Sequence, residues 1–407
     1  KTPWAWAAYL ARTGDTAFVS QFFHDDASGP SQFGPSLFTL MHELPGQLNS
    51  SGYLRTSFDN DSSGTWLFDD FAAIMGLAAY RYLASRIGNT TEAAFADTQM
   101  RNLATATANA LAANESANHF SFLPCEVDKP ISANRCDTAS DANWASANYV
   151  GQDAWDAFLM GGSLPGVLGD PAQTDGLYTM GFNRLNGSLP FPTMGGYPGY
   201  STANNTGYAE GGLYGTQFRS LPITSYAWQL AASTGGPNAW WEANGSGPST
   251  ANPWAGSHAP PQFGACPYAW PMAGQTLGLL DSIAAEGLAA TGSGGSFTFT
   301  RPLYVGRGIP DAWIAPGQTI AAGNLTNTAA NGGRSTYGVS LAVSRPASQR
   351  VVTVTLSGSL PGGAVLVQLP AFASIGVASV QGGTYDAGTH TVTVTPGTTT
   401  VTITLNS

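Results

Sequence analysis

The hydrophobic pattern of this chain changes period once, and that change limits the folds open to it. Before about residue 296, apolar residues recur at the three-to-four spacing of helices packed on one face. After it, segments such as FTFTRPLYV, STYGVSLAV, RVVTVTLSG, GAVLVQLP, HTVTVTP and TTVTITLN alternate apolar with polar between Gly, Pro and Asp turns. A helical stripe and a period-two strand cannot share one layer. The reading is therefore a multidomain α and β protein, with a helical domain over 1–295 and an antiparallel β-sandwich accessory domain over 296–407. A chain of 407 residues is long enough to bury both cores.

In the first part, Trp4, Ala8 and Ala11 lie on one face of a helix that stops at Thr13-Gly14-Asp15, with Asp15 capping a short helix to Phe23. The strongest helix is 67–87, where Leu67, Phe71, Ile74, Met75, Ala78 and Tyr82 form a broad stripe that suits two neighbours. A helix capped by Thr90 or Thr91 runs to about Ala113. Others lie near 152–160, 222–233 and 267–287. The Gly/Pro/aromatic stretches 183–220 and 234–266 are longer than ordinary connections, which marks them as functional surfaces or disordered segments.

Charge narrows the function. Lys and Arg number 15 against 25 Asp and Glu, a net charge of −10, which argues against nucleic acid or an anionic membrane as partner. No run reaches the length of a membrane helix. Only 10% of residues are charged, while Gly (50) and Pro (26) are abundant, a composition frequent among secreted enzymes of the extracellular space or periplasm. Cys125 and Cys136 flank a turn-rich segment that can close a disulfide loop, leaving Cys266 unpaired or simply buried. Asn-x-Ser/Thr sequons occur, but a chain this rich in those residues yields many by chance.

The candidate chemistry lies in carboxylates set among aromatic residues. The segment GYLRTSFDNDSSGTWLFDDF packs Asp59, Asp61, Asp69 and Asp70 beside Phe58, Trp66 and Phe68, just ahead of the strongest helix. Four carboxylates this close repel unless some are protonated or bound. The bland alternative makes Asp69 or Asp70 a helix cap and leaves Asp59 and Asp61 in turns. Glu210 stands between glycines with Tyr208, Tyr214 and Phe218 nearby, and Gln217 and Arg219 are potential sugar hydrogen-bonding partners; its alternative is a solvated loop glutamate. Glu43, after His42, is a weaker candidate. Trp144, Trp155, Tyr149 and other loop aromatics have the flat apolar faces that suit a sugar ring, though most are expected in the core. Histidines are scattered, and no HExxH, CxxC, GxSxG or phosphate-loop motif occurs, so neither a metal nor another cofactor is expected. The Asp59-Asn60-Asp61 triplet lacks the downstream Glu of a calcium loop.

The helical part resembles the (α/α)6-barrel glycosidases of the glucoamylase clan. The resemblance rests on the opening WAWAAYLARTGDTAFV, on GYLRTSFDND leading into WLFDDFAAIMGLAAYRYLA, and on the closing PYAWPMAGQTLGLLDSI, and it spans about residues 1–290. It implies an (α/α)6 toroid, with Asp61 as the general acid and Asp59 as its alternate. The clan has a Trp-Glu-Glu run where this chain has Asp59-Asn60-Asp61. Its general base lies just before the final helix, where HAPPQFGACPYAW offers no carboxylate, so Glu210 is the expected base. Twelve helices make such a barrel and six or seven are legible, so the toroid is expected to be incomplete at its N-terminus, the further segment being either removed by processing or retained as a separate, associated chain.

The resulting expectation is a glycosidase that works by inversion on an oligo- or polysaccharide, its two carboxyl groups roughly 6.5–9.5 Å apart. The catalytic candidates are Asp61, Glu210, Asp59 and Asp70. The substrate-binding candidates are Trp66, Tyr208, Gln217, Arg219, Trp144 and Trp155. A polysaccharide lyase and a non-catalytic carbohydrate-binding protein are the alternatives, the first weakened by the scarcity of Lys and Arg for a basic cleft.

Overall fold

The computed structural model describes residues 1–24, 36–59, 62–119, 121–129, 145–162, 171–185, 200–201, 210–232, 234–236, 239–244, 262–263, 266–328, 333–346 and 349–406. Among them, helices dominate before Ala285 and strands after it. The helices before Ala285 are α1 (Thr2–Thr13), α2 (Thr16–Phe23), α3 (Leu37–Glu43), α4 (Leu67–Arg86), α5 (Thr90–Asn118), α6 (Ala145–Leu159), α7 (Pro171–Leu185), α8 (Leu221–Ala232) and α9 (Ala269–Ala284), and a single turn, Ala371–Ser374, lies among the later strands.

The sequence pattern locates seven of these nine and misses α3 and α7. At seven residues, α3 is too short to show a period. In α7 the pattern is diluted by Gly176, where an added Cβ would lie 2.1 Å from the Ser121 carbonyl oxygen. The signals at the start of the chain hold: Gly14 adopts a left-handed conformation and its N–H closes α1 on the Leu10 carbonyl, while Asp15 accepts from the Phe18 N–H. The cap of α5 is Asn89, one residue earlier than expected. Its carbonyl Oδ1 accepts the Glu92 N–H at 3.1 Å, the bond a capping side chain makes to the third helical residue.

Helix α4 is the hub of the helical core. It is buried on all sides from Ile74 to Ala84, more than the expected stripe, because α1, α5 and α6 all pack against it. Arg81, within that buried stretch, is paired with Asp97 of α5 at 2.5 Å, which removes the cost of an isolated charge in the core.

Strands β1 (Ser57–Asp59) and β2 (Ser62–Gly64) make a hairpin that leads into α4. Further short strands are β3 (Tyr200–Ser201), β4 (Thr234–Gly236), β5 (Ala239–Trp240), β6 (Ala243–Asn244) and β7 (Gln262–Phe263). Because β6 pairs with both β3 and β7, the two long loop regions are joined in one small sheet.

The sheet region begins with β8 (Ala285–Glu286), earlier than the change of period suggests, and continues through β9 (Ala289–Ser293), β10 (Ser296–Thr300) and β11 (Leu303–Val305). It is completed by β12 (Thr319–Thr328), β13 (Arg334–Ser344), β14 (Val351–Gly358), β15 (Val365–Val367), β16 (Val377–Gln381), β17 (Gly383–Asp386), β18 (Thr391–Val394) and β19 (Thr400–Leu405). Two five-stranded sheets, β17-β18-β15-β11-β8 and β12-β13-β14-β19-β16, face one apolar core, the inward residues alternating with polar ones along each strand. One pairing departs from the antiparallel rule: β11 and β15 run parallel.

The hairpin β9–β10, whose FTFT pattern suggests a strand of the sandwich, packs on the helices instead. Phe299 meets Tyr82 of α4 at 5.1 Å, and Phe297 lies 5.1 Å beneath the Arg81 guanidinium. Further along, Arg301 and Thr328 both donate to the Ala11 carbonyl, so the sheet region satisfies an open carbonyl at the end of α1.

Candidate active site

The site is built around α6, where YVGQDAWDAF places Asp153 and Asp156 one turn apart on the same face. Both carboxyls are buried, Asp153 at 0% and Asp156 at 8% exposure. Lys1 Nζ reaches Asp153 Oδ1 at 2.9 Å, and no described residue donates a hydrogen bond to Asp153 Oδ2. Burial pushes the Asp153 carboxyl up, opposed by the charge of Lys1. For Lys1, burial works against the ammonium, but Asp153, Asp156 and Asp59 outweigh it and raise its pKa.

Glu210 is brought to this face by a close backbone crossing. A Cβ on Gly211 would lie 2.5 Å from the carbonyl carbon of Gly151 and 2.8 Å from Tyr178 Oη, so only glycine lets the turn after Glu210 approach α6. Glu210 itself is 2% exposed, and its Oε2 accepts from Gln152 Nε2 at 3.1 Å. Its carboxyl is pushed well up, first by burial and then by the negative charges of Asp156 and Asp281, with the Gln152 hydrogen bond acting the other way. Asp156 is likewise raised by burial and by Asp153. Asp281 of α9 completes the group, its Oδ2 accepting from Trp155 Nε1 at 3.0 Å. Burial and the neighbouring negative charges both favour the protonated form of a carboxyl in such a group.

The hairpin β1–β2 belongs to the same neighbourhood. Asp59 acts electrostatically on Lys1, Asp69 and Asp153. Asp69 accepts from Ser57 Oγ at 2.5 Å and is raised to about 6 by burial. The two stretches singled out in sequence, 57–70 and the Glu210 turn, therefore converge through α6. Asp61 lies outside the described residues, as do Tyr208 and Trp144.

An aromatic column flanks the carboxyls. Trp66 stacks on Phe68 at 5.5 Å, Phe68 meets Tyr149 at 5.6 Å, and Tyr149 stacks nearly parallel on Trp270 at 5.7 Å. Lys1 Nζ sits 5.8 Å from the Tyr149 centroid, and Trp270, the outer end of the column, is 46% exposed.

Other expected site residues have different places. Asp70 is wholly buried and accepts the Leu54 N–H at 3.0 Å, so it braces the chain before the hairpin and does not face a substrate. Neither Asp69 nor Asp70 caps α4, which starts after Trp66 without a side-chain cap. Trp66 and Trp155 are both buried to within 1% and are core residues, because Trp66 is covered by Gly64 and Phe68 while Trp155 stacks on Phe158. Gln217 and Arg219 are not joined to Glu210 by any described hydrogen bond. The Gln217 N–H donates to Asp175 Oδ1, and Arg219 Nε donates to the Gly215 carbonyl. Glu43 ends α3, on the far side of α4's N-terminal turn in sequence, and forms no described bond to the cluster.

Sequence reasoning missed Asp153, Asp156 and Asp281. The signal was present in QDAWDAF, where two acids one turn apart interrupt an otherwise apolar helix, a placement that costs free energy unless it is used. Among the described residues no group of three or more His, Cys, Asp or Glu is arranged to hold a metal ion, and no helix is long and apolar enough to cross a membrane. The sequence matches no protein-family model and no curated protein.

Proposed function

We propose that this protein is a glycosidase, with Asp156 as general acid and Glu210 as general base. The observation that carries the reading is the pair of buried, upward-shifted carboxyls Asp156 and Glu210, the charge of Asp156 acting on Glu210, beside an aromatic column that ends in the exposed face of Trp270. Glycosidic hydrolysis needs one carboxyl that stays protonated to release the leaving oxygen and one ionised carboxylate that activates water. Gln152 donates to Glu210 and favours its ionised form, whereas no described donor reaches the Asp156 carboxyl, and this reading assigns the proton to it. An apolar sugar face stacks on the outer indole of Trp270. The expectation of an (α/α)6 toroid is taken over from the family resemblance; the packed helix pairs α1–α4, α4–α5 and α8–α9 are compatible with helix-on-helix packing of that general kind.

The same reading places the protein in an oxidising, extracytoplasmic compartment. Cys125 is buried and is not a free thiol, Cys266 is free, and Cys136 lies outside the described residues. Thiol titration of the denatured protein is expected to find one reactive group before reduction and three after. Three before reduction would remove the Cys125–Cys136 pairing.

The test of function is incubation with a panel of neutral oligo- and polysaccharides, followed by product analysis. New reducing ends without an unsaturated sugar support the hydrolase; an unsaturated product means a lyase, and binding without products means a carbohydrate-binding protein. Trp270→Ala is expected to raise KM about 10-fold or more, the loss of one ring-stacking contact, with a much smaller change in kcat. An unchanged KM would take the column out of the binding site.

A further inference from the structure

The carboxyl-bearing elements α6 and the Glu210 turn meet at one residue that comes from the sheet region. Arg307 lies in the tight turn Gly306–Ile309, just after β11. That turn is fixed on the end of α9: the Gly306 N–H donates to the Ile283 carbonyl and the Gly308 N–H to the Ser282 carbonyl, satisfying two of its open C-terminal carbonyls. From there the Arg307 side chain runs inward and is 7% exposed.

The edges of its guanidinium and one of its faces are used. Nε donates to the Leu213 carbonyl at 2.5 Å and Nη2 to the Tyr214 carbonyl at 3.3 Å. Leu213 and Tyr214 are the residues whose N–H groups close on Glu210 and Gly211, so these carbonyls end the single helical turn that carries Glu210. A cation at that end satisfies open acceptors and opposes their partial negative charge. Nη1 donates to Gln368 Oε1 at 2.5 Å, and Gln368 Nε2 passes the link to Thr391 Oγ1 at 2.9 Å, anchoring the group in the sheet of β11, β15 and β18. The flat face lies 5.3 Å from the ring of Trp155, which sits between Asp153 and Asp156 on α6. No described carboxylate forms a salt bridge with Arg307, so its buried charge is spent on backbone carbonyls, an amide and an aromatic face. A planar fork with several donors can hold those partners at once, and an ammonium cannot.

We propose that Arg307 is a positioning residue: it holds the Glu210 turn and the Asp156 face of α6 in one fixed relation, which makes the sheet region part of the site's machinery. The proposal rests on the hydrolase reading only for its kinetic consequence. The structural consequence stands apart from it.

The experiment compares wild type with Arg307→Gln and Arg307→Lys by hydrogen–deuterium exchange and by steady-state kinetics on whichever glycan the wild type cleaves. In Arg307→Gln the amides of 211–215 are expected to exchange at least about tenfold faster, with β12–β14 unchanged, because the loss is a local opening. The kcat is expected to fall roughly 100-fold with KM within about threefold, the mark of misplaced catalytic groups and intact substrate binding. Arg307→Lys keeps the charge and loses the fork, so it should lie between the two. Unchanged exchange over 211–215, or equal acceleration across β12–β14, overturns the proposal. Should Arg307→Gln fail to fold, Gln368→Ala removes only the sheet-side anchor and is read the same way. If the wild type cleaves no glycan, the hydrolase reading fails while the exchange result still decides the role of Arg307.

Discussion

Asp156→Asn and Glu210→Gln are each expected to lower kcat for glycan hydrolysis by roughly 100- to 10,000-fold, the range that a positioned proton donor or acceptor contributes. Both substitutions keep size and shape, so circular dichroism and the melting temperature should show a folded protein. The two losses should differ in kind. Asp156 is assigned the proton that goes to the leaving oxygen, so Asp156→Asn should hurt most with poor leaving groups and least with an activated aryl glycoside. Glu210→Gln removes the group that activates water, so a small external nucleophile such as azide should restore part of its rate. Asp61→Asn is the decisive companion, because the family resemblance gives the acid's role to Asp61. If Asp61→Asn abolishes hydrolysis while Asp156→Asn retains more than about a tenth of it, the acid is Asp61 and Asp156 only shapes the electrostatics around Glu210.

That contest between Asp61 and Asp156 shows what the sequence could and could not convey. Local signals were readable: the αL glycine at Gly14, the Asp15 cap, the stripe of α4 and the alternation in β12–β14 each follow from a few neighbouring residues. Glu210 was also readable as a candidate, because a lone acid among glycines and tyrosines is unusual. Its partners were not. They depend on Gly151 and Gly211 meeting across a gap of 60 positions in the chain, and pattern within one segment carries no information on such a meeting. The aromatic candidates fail for a related reason. Trp155 and Trp66 look like loop or surface aromatics in a one-dimensional reading, yet Trp66 is covered by Gly64 and Phe68 and Trp155 by Phe158 and Tyr304, while Trp270, within the expected helix 267–287, emerges at the surface. The strand pattern is incomplete as well, since Ala285–Glu286 joins the sheet as β8 without a period of its own and the FTFT strand turns its phenylalanines to the helices. In each case a tertiary contact overrides a local pattern.

The same buried acids predict that the protein loses stability as pH rises from about 4 to about 8. Burial raises Asp70 to about 7, Asp69 to about 6 and Asp281 to about 6, and it moves Asp153, Asp156 and Glu210 in the same direction. In the unfolded chain such carboxyls ionise near pH 4. Between the two values the folded state keeps protons that the unfolded state has given up, so raising the pH favours unfolding. The stabilisation is complete below pH 4, declines through the window and is gone once pH exceeds the folded values. For Asp70, fully buried, the difference between 3.8 and about 7 corresponds to roughly 4 kcal/mol. Urea unfolding at pH 4.5 and at pH 8 should therefore show a lower midpoint at pH 8, and the melting temperature should fall by several degrees. Asp70→Asn isolates one contribution: its Oδ1 still accepts from the Leu54 N–H, it has no charge to develop, and its stability relative to wild type should increase with pH over this window. A wild type whose stability is flat or rising from pH 4.5 to pH 8 would mean that these carboxyls are ionised in the fold. The retained proton that the Asp156–Glu210 mechanism requires would then be absent.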